Sequence, residues 1–260
     1  MFEQNAQIGG NMLSQERYIR IQEIVNAKRT VTVAELAKRL NTSESTIRRD
    51  LTALDELGKI KKFFGGATTV HNTQRFIEDT IRVKETLMKE EKTVIAEYAA
   101  SLISDDDFVY IDAGTTTARM IDFIKDSRAT FVTNGIVHAR KLIDKGFNTY
   151  LVGGKIRPTT EAIVGSEAVT NISRLNFSKA FIGTNGVDIK AGYSTPDIDE
   201  ANIKTAAIER SYMSFVLADH SKFKKIFSVT FDGLDKCCII TDKLIDNDFN
   251  NETVIKVVSK

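Results

Sequence analysis

Cysteine is nearly absent from this chain: Cys237 and Cys238 are its only two, and they are neighbours. On a strand, adjacent side chains point to opposite faces. The pair is therefore a poor disulfide and too small a set for a structural zinc site. This scarcity points to a reducing, cytoplasmic setting. Long apolar runs are also missing. No stretch approaches the roughly 18 unbroken apolar residues of a membrane helix, so no spanning segment is expected. Met1–Asn11 has neither a basic start nor an apolar run and does not read as a secretory signal. No GxGxxG follows the first strand-like run of the second half and no P-loop lysine occurs, which argues against a dinucleotide or triphosphate site. The three histidines have no spaced acidic partners, so no metal site and no cofactor are expected. His138 and His220 read as structural. The 260 residues are 42% hydrophobic and 27% charged, which excludes disordered, collagen-like and coiled-coil chains. That length favours two domains, or one with an appendage.

The charge that is present is unevenly placed. Ser14–Val70 carries eleven basic and seven acidic residues, a net +4 in a chain whose total is +1. That asymmetry suits a polyanionic partner. Tyr18, Ile21, Ile24 and Val25 make the stripe of a first helix. Thr30–Thr32 is β-branched and reads as a short strand. Thr32-Val33-Ala34-Glu35 matches a capping box, with Glu35 reaching back to the cap. Val33, Leu36, Ala37 and Leu40 face a second helix inward. Ser43 caps a third helix that buries Ile47, Leu51 and Leu54 and shows Ser45, Thr46, Arg48, Arg49 and Thr52 on its other face. Lys59–Phe64, a Gly65-Gly66 turn and Ala67–Val70 form a hairpin with Lys61 and Lys62 on it.

Two helices joined by about four residues, the second rich in hydroxyls and arginines, make a helix-turn-helix, and the basic hairpin is its wing. Arginine offers bidentate donors to guanine or phosphate, and short polar groups can approach base edges. The expected DNA-contacting residues are Thr32, Ser43, Ser45, Thr46, Arg48, Arg49, Thr52, Lys61 and Lys62. The plainer alternative is a helical packing module with charged outer faces.

After a polar connector over 71–84, residues 85–260 alternate strand and helix. A long helix is expected from Leu87 to Leu102. Strand-like runs follow at Phe108–Ile111, Thr130–Val132, Thr149–Val152, Lys179–Ile182, Phe215–Leu217 and Cys237–Ile240. Helical patterns lie at Thr116–Lys125, Ile136–Lys145 and Asp199–Ser211. The alternation implies a Rossmann-like, mostly parallel α/β sheet covered on both faces. Polar or glycine-containing turns recur where strands end, and open parallel sheets bind ligands outside those ends. The candidate ligand residues are Asp112, Gly114, Thr115, Thr116, Thr117, Thr133, Asn134, Gly153, Gly154, Gly183, Asn185, Gly186, Asp219 and Lys222. Threonines opening a helix suit a phosphate. Lys222 adds charge, and Asp112, Asn134 or Asp219 can accept from sugar hydroxyls. Together these turns fit a phosphorylated sugar, although each alone reads equally as an ordinary strand-to-helix turn. Glu200 and Lys204 read as a helix-surface ion pair.

Thr46-Ile47-Arg48-Arg49-Asp50-Leu51 followed by Gly65-Gly66-Ala67 resembles the DeoR-type winged helix-turn-helix of bacterial transcription regulators. The resemblance departs at Phe64, where that family commonly has histidine. It continues through Asp112–Thr116, Thr133-Asn134, Gly153-Gly154 and Asp219–Phe223, and Lys224 stands where many members have glycine. Met12-Leu13 resembles the family's start, which leaves Met1–Asn11 upstream of it. The resemblance implies a C-terminal sensor and oligomerisation domain similar in fold to ribose-5-phosphate isomerase, and a pocket role for Glu200 and Lys204. Asn41–Leu51 looks most like fructose-operon repressors of Gram-positive bacteria, which implies fructose 1-phosphate as effector. The expected protein is a cytoplasmic, homodimeric or homotetrameric repressor of a sugar operon that binds operator DNA. Two alternatives remain: a sugar-phosphate isomerase with an accessory DNA-binding head, with Asp112 or Glu200 as base, and a protein-interaction module.

Overall fold

The computed structural model describes residues 14–69 and 81–259. Met1–Asn11 and most of the 71–84 connector lie outside them. The chain divides into two units, Met1–Asn72 and Thr73–Lys260.

The first unit is built by local signals. α1 (Ser14–Lys28) buries Ile21 and Val25. β1 (Thr30–Thr32) leads into α2 (Val33–Arg39), and Thr32 Oγ1 accepts from the Glu35 amide at 3.1 Å. The expected return contact of Glu35 to the cap is replaced. Its carboxylate pairs with Lys28 and Arg39, because an ammonium and a guanidinium outbid a neutral amide. α3 (Glu44–Glu56) is capped by Ser43, whose Oγ accepts from the Thr46 amide at 3.2 Å. β2 (Ile60–Phe63) and β3 (Gly66–Thr69) form the hairpin, in a sheet of order β1-β3-β2. The turn is Phe64-Gly65 rather than the two glycines: Gly65 takes a φ of +81° and Gly66 already opens the strand. Ile47, Leu51, Leu54, Leu36, Ile21 and Ile60 close one core.

The second unit begins with α4 (Ile81–Thr86) and α5 (Lys89–Ser101), not one long helix. Met88, at a φ of +51°, turns the chain between them and leaves Leu87 exposed. The chain then runs through β4 (Phe108–Ile111), α6 (Thr115–Phe123), β5 (Thr130–Thr133), α7 (Ile136–Asp144) and β6 (Asn148–Leu151). Next come the hairpin of β7 (Lys155–Arg157) and β8 (Ala162–Val164), α8 (Ser166–Ser173) and β9 (Phe177–Gly183). They are followed by β10 (Gly186–Asp188), β11 (Gly192–Thr195), α9 (Ile198–Glu209), β12 (Ser211–Leu217), β13 (Val229–Asp232), β14 (Cys238–Thr241) and β15 (Ile255–Val257). Seven strands form one sheet of order β15-β14-β12-β9-β4-β5-β6, with every pair parallel. Alternate residues feed two cores: Tyr110, Ile182 and Val216 on one face, Val109, Ile111, Phe181 and Phe215 on the other. This double burial explains the continuous apolar runs in sequence. The β7–β8 hairpin, α8, the antiparallel sheet β10-β11-β13 and β15 carry no clear periodicity and were not anticipated.

The order of strands decides where a ligand can sit. The chain winds outward from β4 to β5 and β6, then returns to place β9 on the other side of β4. This is the switch point at which neighbouring crossovers diverge and open a crevice at the strand ends. Among the described residues no helix is long and apolar enough to cross a membrane.

Candidate functional site

In the first unit the outer face of α3 carries Ser45, Thr46, Arg48, Arg49 and Thr52, with Arg48 and Arg49 exposed. Arg48 pairs with Glu44 one turn back at 3.0 Å. Arg49 has no hydrogen bond or ion pair among the described residues, so its whole donor fork is available. Ser43 Oγ is shared among the Thr46 amide and the hydroxyls of Ser45 and Thr46. Thr32 likewise caps α2. Both hydroxyls thus work first as caps, and each keeps the capacity to donate outward. Thr52 Oγ1 donates to the Arg48 carbonyl and accepts from Lys62 Nζ at 2.6 Å, which ties the wing to the helix. Lys61 Nζ lies 3.5 Å from Asp55, whose carboxylate also accepts from the Lys62 amide. From beneath, Arg17 of α1 grips the buried Asp50 of α3. Nothing in the local pattern marks this pair, whose members stand 33 residues apart.

In the second unit a cavity of about 350 Å³ opens at the switch point. The turn after β4 contributes Asp112, Gly114, Thr115 and Thr116; the turn after β9 contributes Gly183, Thr184 and Asn185. Asp219, Ser221 and Lys222 follow β12, and Glu200 and Lys204 come from α9. Asp112 is buried, accepts from the Gly183 amide at 2.9 Å and pairs with Lys204. Residues joined to both sides of the switch point therefore share one charge pair. The first turn of α6 lines the cavity with Gly114, Thr115 and Thr116, and a helix N-terminus bearing hydroxyl residues favours an anion. Asp219 is buried; its Oδ1 accepts from Ser221, while Oδ2 has no partner among the described residues.

The lining also includes residues outside the candidate set, among them Lys84, Lys92, Thr160 and Lys225. Lys92 sits three and four residues before Ile95 and Ala96, on the buried stripe of α5, and a lysine on such a stripe was the overlooked signal. It is 3% exposed, bonds the Lys84 carbonyl and has no carboxylate within ion-pair distance among the described residues. Burial, aided by repulsion from Lys222, lowers its pKa to about 8. Five lysines face three carboxylates around the cavity, so an anionic occupant is favoured.

Several expected ligand residues lie elsewhere, because their polar groups are consumed by the fold. Asn134 Oδ1 accepts from Tyr110 and the Ala113 amide, and its Nδ2 donates to the Ile163 carbonyl. Thr133 Oγ1 accepts from the Gly135 amide. Thr117 is buried and donates to the Asp112 carbonyl at 2.6 Å, with His138 Nε2 at 3.1 Å. His138 is held neutral, its pKa lowered to about 4 by burial. Gly153 and Gly154 follow the edge strand β6, and a Cβ at Gly154 would lie 2.9 Å from the Val164 carbonyl. At Gly186 a Cβ would lie 2.4 Å from the Lys225 carbonyl, so that glycine serves close backbone packing. Glu200 and Lys204 are not a surface pair. Both are buried, Lys204 on Asp112 and Glu200 on Arg157 and Thr160. His220 is held by Asp242 at 2.7 Å. Among the described residues no group of three or more His, Cys, Asp or Glu could hold a metal ion.

The DeoR-like helix-turn-helix domain matches residues 11–73, and the DeoR C-terminal sensor domain matches residues 87–243. The chain belongs to the DeoR family. It is 41% identical over 95% of its length, and 99% of the relative's, to a protein of Bacillus subtilis (strain 168) described as the uncharacterized HTH-type transcriptional regulator FruR. It is 35% identical to the lactose phosphotransferase system repressor of Staphylococcus aureus (strain NCTC 8325), over 86% of this chain and 90% of that one. Among solved structures, a ribose 5-phosphate isomerase from Methanocaldococcus jannaschii overlaps 53% of this chain and 55% of its own, with a TM-score of 0.40 and 13% identity.

This DeoR-family regulator thus joins a DNA-binding head to a sensor domain. Its departures from the family pattern have structural correlates. Lys224, where many members have glycine, adopts a left-handed φ of +59° and pairs with Asp246 at 2.7 Å. Phe64, in place of histidine, stands wholly in solvent at the wing tip.

Proposed function

We propose that this protein represses a sugar-utilisation operon from the cytoplasm, as a homodimer or homotetramer, and is released from its operator by a phosphorylated sugar held in the switch-point cavity. One observation carries the reading: buried Lys92, with no carboxylate at ion-pair distance among the described residues, meets Lys222 and the α6 N-terminus around one cavity that also holds Asp219 Oδ2, likewise without a partner among the described residues. The phosphate would take the lysines and the amides of Thr115 and Thr116. The sugar hydroxyls would donate to Asp219, Asp112 and Glu200. Fructose 1-phosphate is the first effector to try, on the resemblance of Asn41–Leu51 to fructose-operon repressors.

The relatives it resembles along nearly its whole length are described as regulators, and we read this chain as a sensor without turnover. An isomerase would need a carboxylate free to act as base. Asp112 and Glu200, the two proposed for that role, are held by Lys204 and Arg157; Asp219 keeps an Oδ2 without a partner among the described residues, and we assign it to a sugar hydroxyl, an assignment that the absence of turnover tests. Effector and operator need be coupled by only about 1–3 kcal/mol to change affinity 5- to 150-fold. A thermal-shift screen of sugar phosphates, followed by mobility shifts on the upstream DNA with each hit, tests the reading. A hit should raise the melting temperature and release the DNA. Stabilisation by no sugar phosphate, or turnover of one, would overturn it.

A further inference from the structure

The side chain of Phe64 is as exposed as in an extended peptide, at 110% relative area, and Phe63 beside it is 53% exposed. Both stand at the tip of the β2–β3 hairpin. That tip is firmly held. The Gly65 carbonyl accepts from the Val33 amide at 2.8 Å, and Gly66 runs so close to β1 that a Cβ there would lie 2.3 Å from the Val31 carbonyl. The arm is also fixed sideways to α3, through Lys62 to Thr52 and Asp55. Two aromatic side chains are therefore presented at a set offset from the exposed arginines of α3, with no core of their own to join.

The side chains around them decide what they meet. Lys59, Lys61 and Lys62 are exposed on the same arm. A basic arm with an apolar tip matches a groove walled by phosphates and floored by stacked bases: lysines take the walls, and the ring enters the stack.

We infer that Phe64 is a wedge that enters the minor groove beside each half-site, the stretch of operator read by one α3, and partly unstacks one base step. The inference rests on the head binding DNA and adds to it a second mode of readout. The wedge would favour flexible pyrimidine–purine steps at positions that α3 never touches. It makes Phe64 a specificity residue at the place where this chain departs from the family pattern.

The test uses the full-length protein and its own upstream DNA, with 2-aminopurine placed in turn at the steps flanking each half-site. Binding is titrated across a salt series. The parent should brighten 2-aminopurine at one step per half-site. Phe64→Ala should lose that signal and bind roughly tenfold more weakly, with the salt slope unchanged because no charge is lost. Phe64→Leu, which keeps apolar bulk, should retain most of the affinity. Lys61→Ala should behave differently and lower the slope by about one. Phe64 touches no core, so these variants should melt with the parent. A Phe64→Ala protein that binds with parental affinity, or a parent that brightens no step, would overturn the wedge while leaving DNA binding in place. A parent that binds no upstream DNA would overturn the head's function as well, so the two failures are told apart.

Discussion

Arg17 of α1 and Asp50 of α3 form a two-point ion pair, with Nε to Oδ2 at 2.5 Å and a second guanidinium nitrogen to Oδ1 at 3.0 Å. Both side chains are largely withdrawn from water, at 12% and 6% exposure. Asp50 directly follows Arg48 and Arg49, so the pair sets the rotation at which α3 presents them. Removing one partner of a buried pair leaves the other charge stranded, at a cost of about 3–5 kcal/mol. Arg17→Ala should lower stability by the smaller end of that range, read by urea unfolding of the full chain. Arg17→Lys keeps the charge but not the fork and should recover only part of it. Parental stability in Arg17→Ala would show that the pair holds nothing in place.

The two exposed arginines of α3 should not be equivalent. Arg49 has no partner to leave among the described residues, whereas Arg48 must exchange Glu44 for DNA. Arg49→Ala should cost about 1–3 kcal/mol of operator binding if it reads a base. Glu44→Gln should strengthen binding slightly by releasing Arg48 and removing a negative charge from the interface. Mobility shifts at one fixed salt concentration measure both. Unchanged affinity in Arg49→Ala would remove that residue from the interface.

Effector binding should weaken on raising pH through about 8, where Lys92 loses its proton. An anion needs the ammonium, and the groups that set its titration are Lys222, Asp219, Arg119 and Lys84. The sign for folding is the reverse. The unfolded lysine holds its proton to the ordinary value of 10.5, so the contribution of Lys92 to stability rises between pH 8 and 10.5. Lys92→Met should remove that rise, keep operator binding and lose the effector response. Calorimetric titration with a sugar phosphate from pH 7 to 9 checks it, and an equally strong response at pH 9 would contradict the role.

His138 should make the sensor domain acid-sensitive. Its pKa falls from 6.5 to about 4 on burial, so the unfolded chain binds a proton that the folded one refuses. Its contribution is intact above pH 6.5 and is lost as pH falls toward 4. Nδ1 has no partner among the described residues, so protonation gains no compensating bond there. His138→Gln should flatten the melting-temperature profile between pH 6.5 and 4, and an unchanged profile would assign the acid sensitivity elsewhere.

How much of this was legible in the sequence follows the range of the forces involved. The head is local. The caps at Thr32 and Ser43, the stripe of Ile47, Leu51 and Leu54, and the hairpin depend on residues a few positions apart, and the fold keeps them nearly where the pattern puts them. The turns at strand ends were likewise readable, because glycine and hydroxyl residues interrupt apolar runs there. Short stretches of chain therefore fix the set of elements and the chemistry at their ends. Which of those ends meet depends on packing over the whole unit. Lys204 reaches Asp112 across 92 residues because β9 returns beside β4. Asn134 became a strut because Tyr110 and Ile163 arrive on either side of it. Lys92 entered the cavity from a helix that precedes the sheet altogether. Strand order is a balance of burial over the whole unit, and no short window of residues contains it.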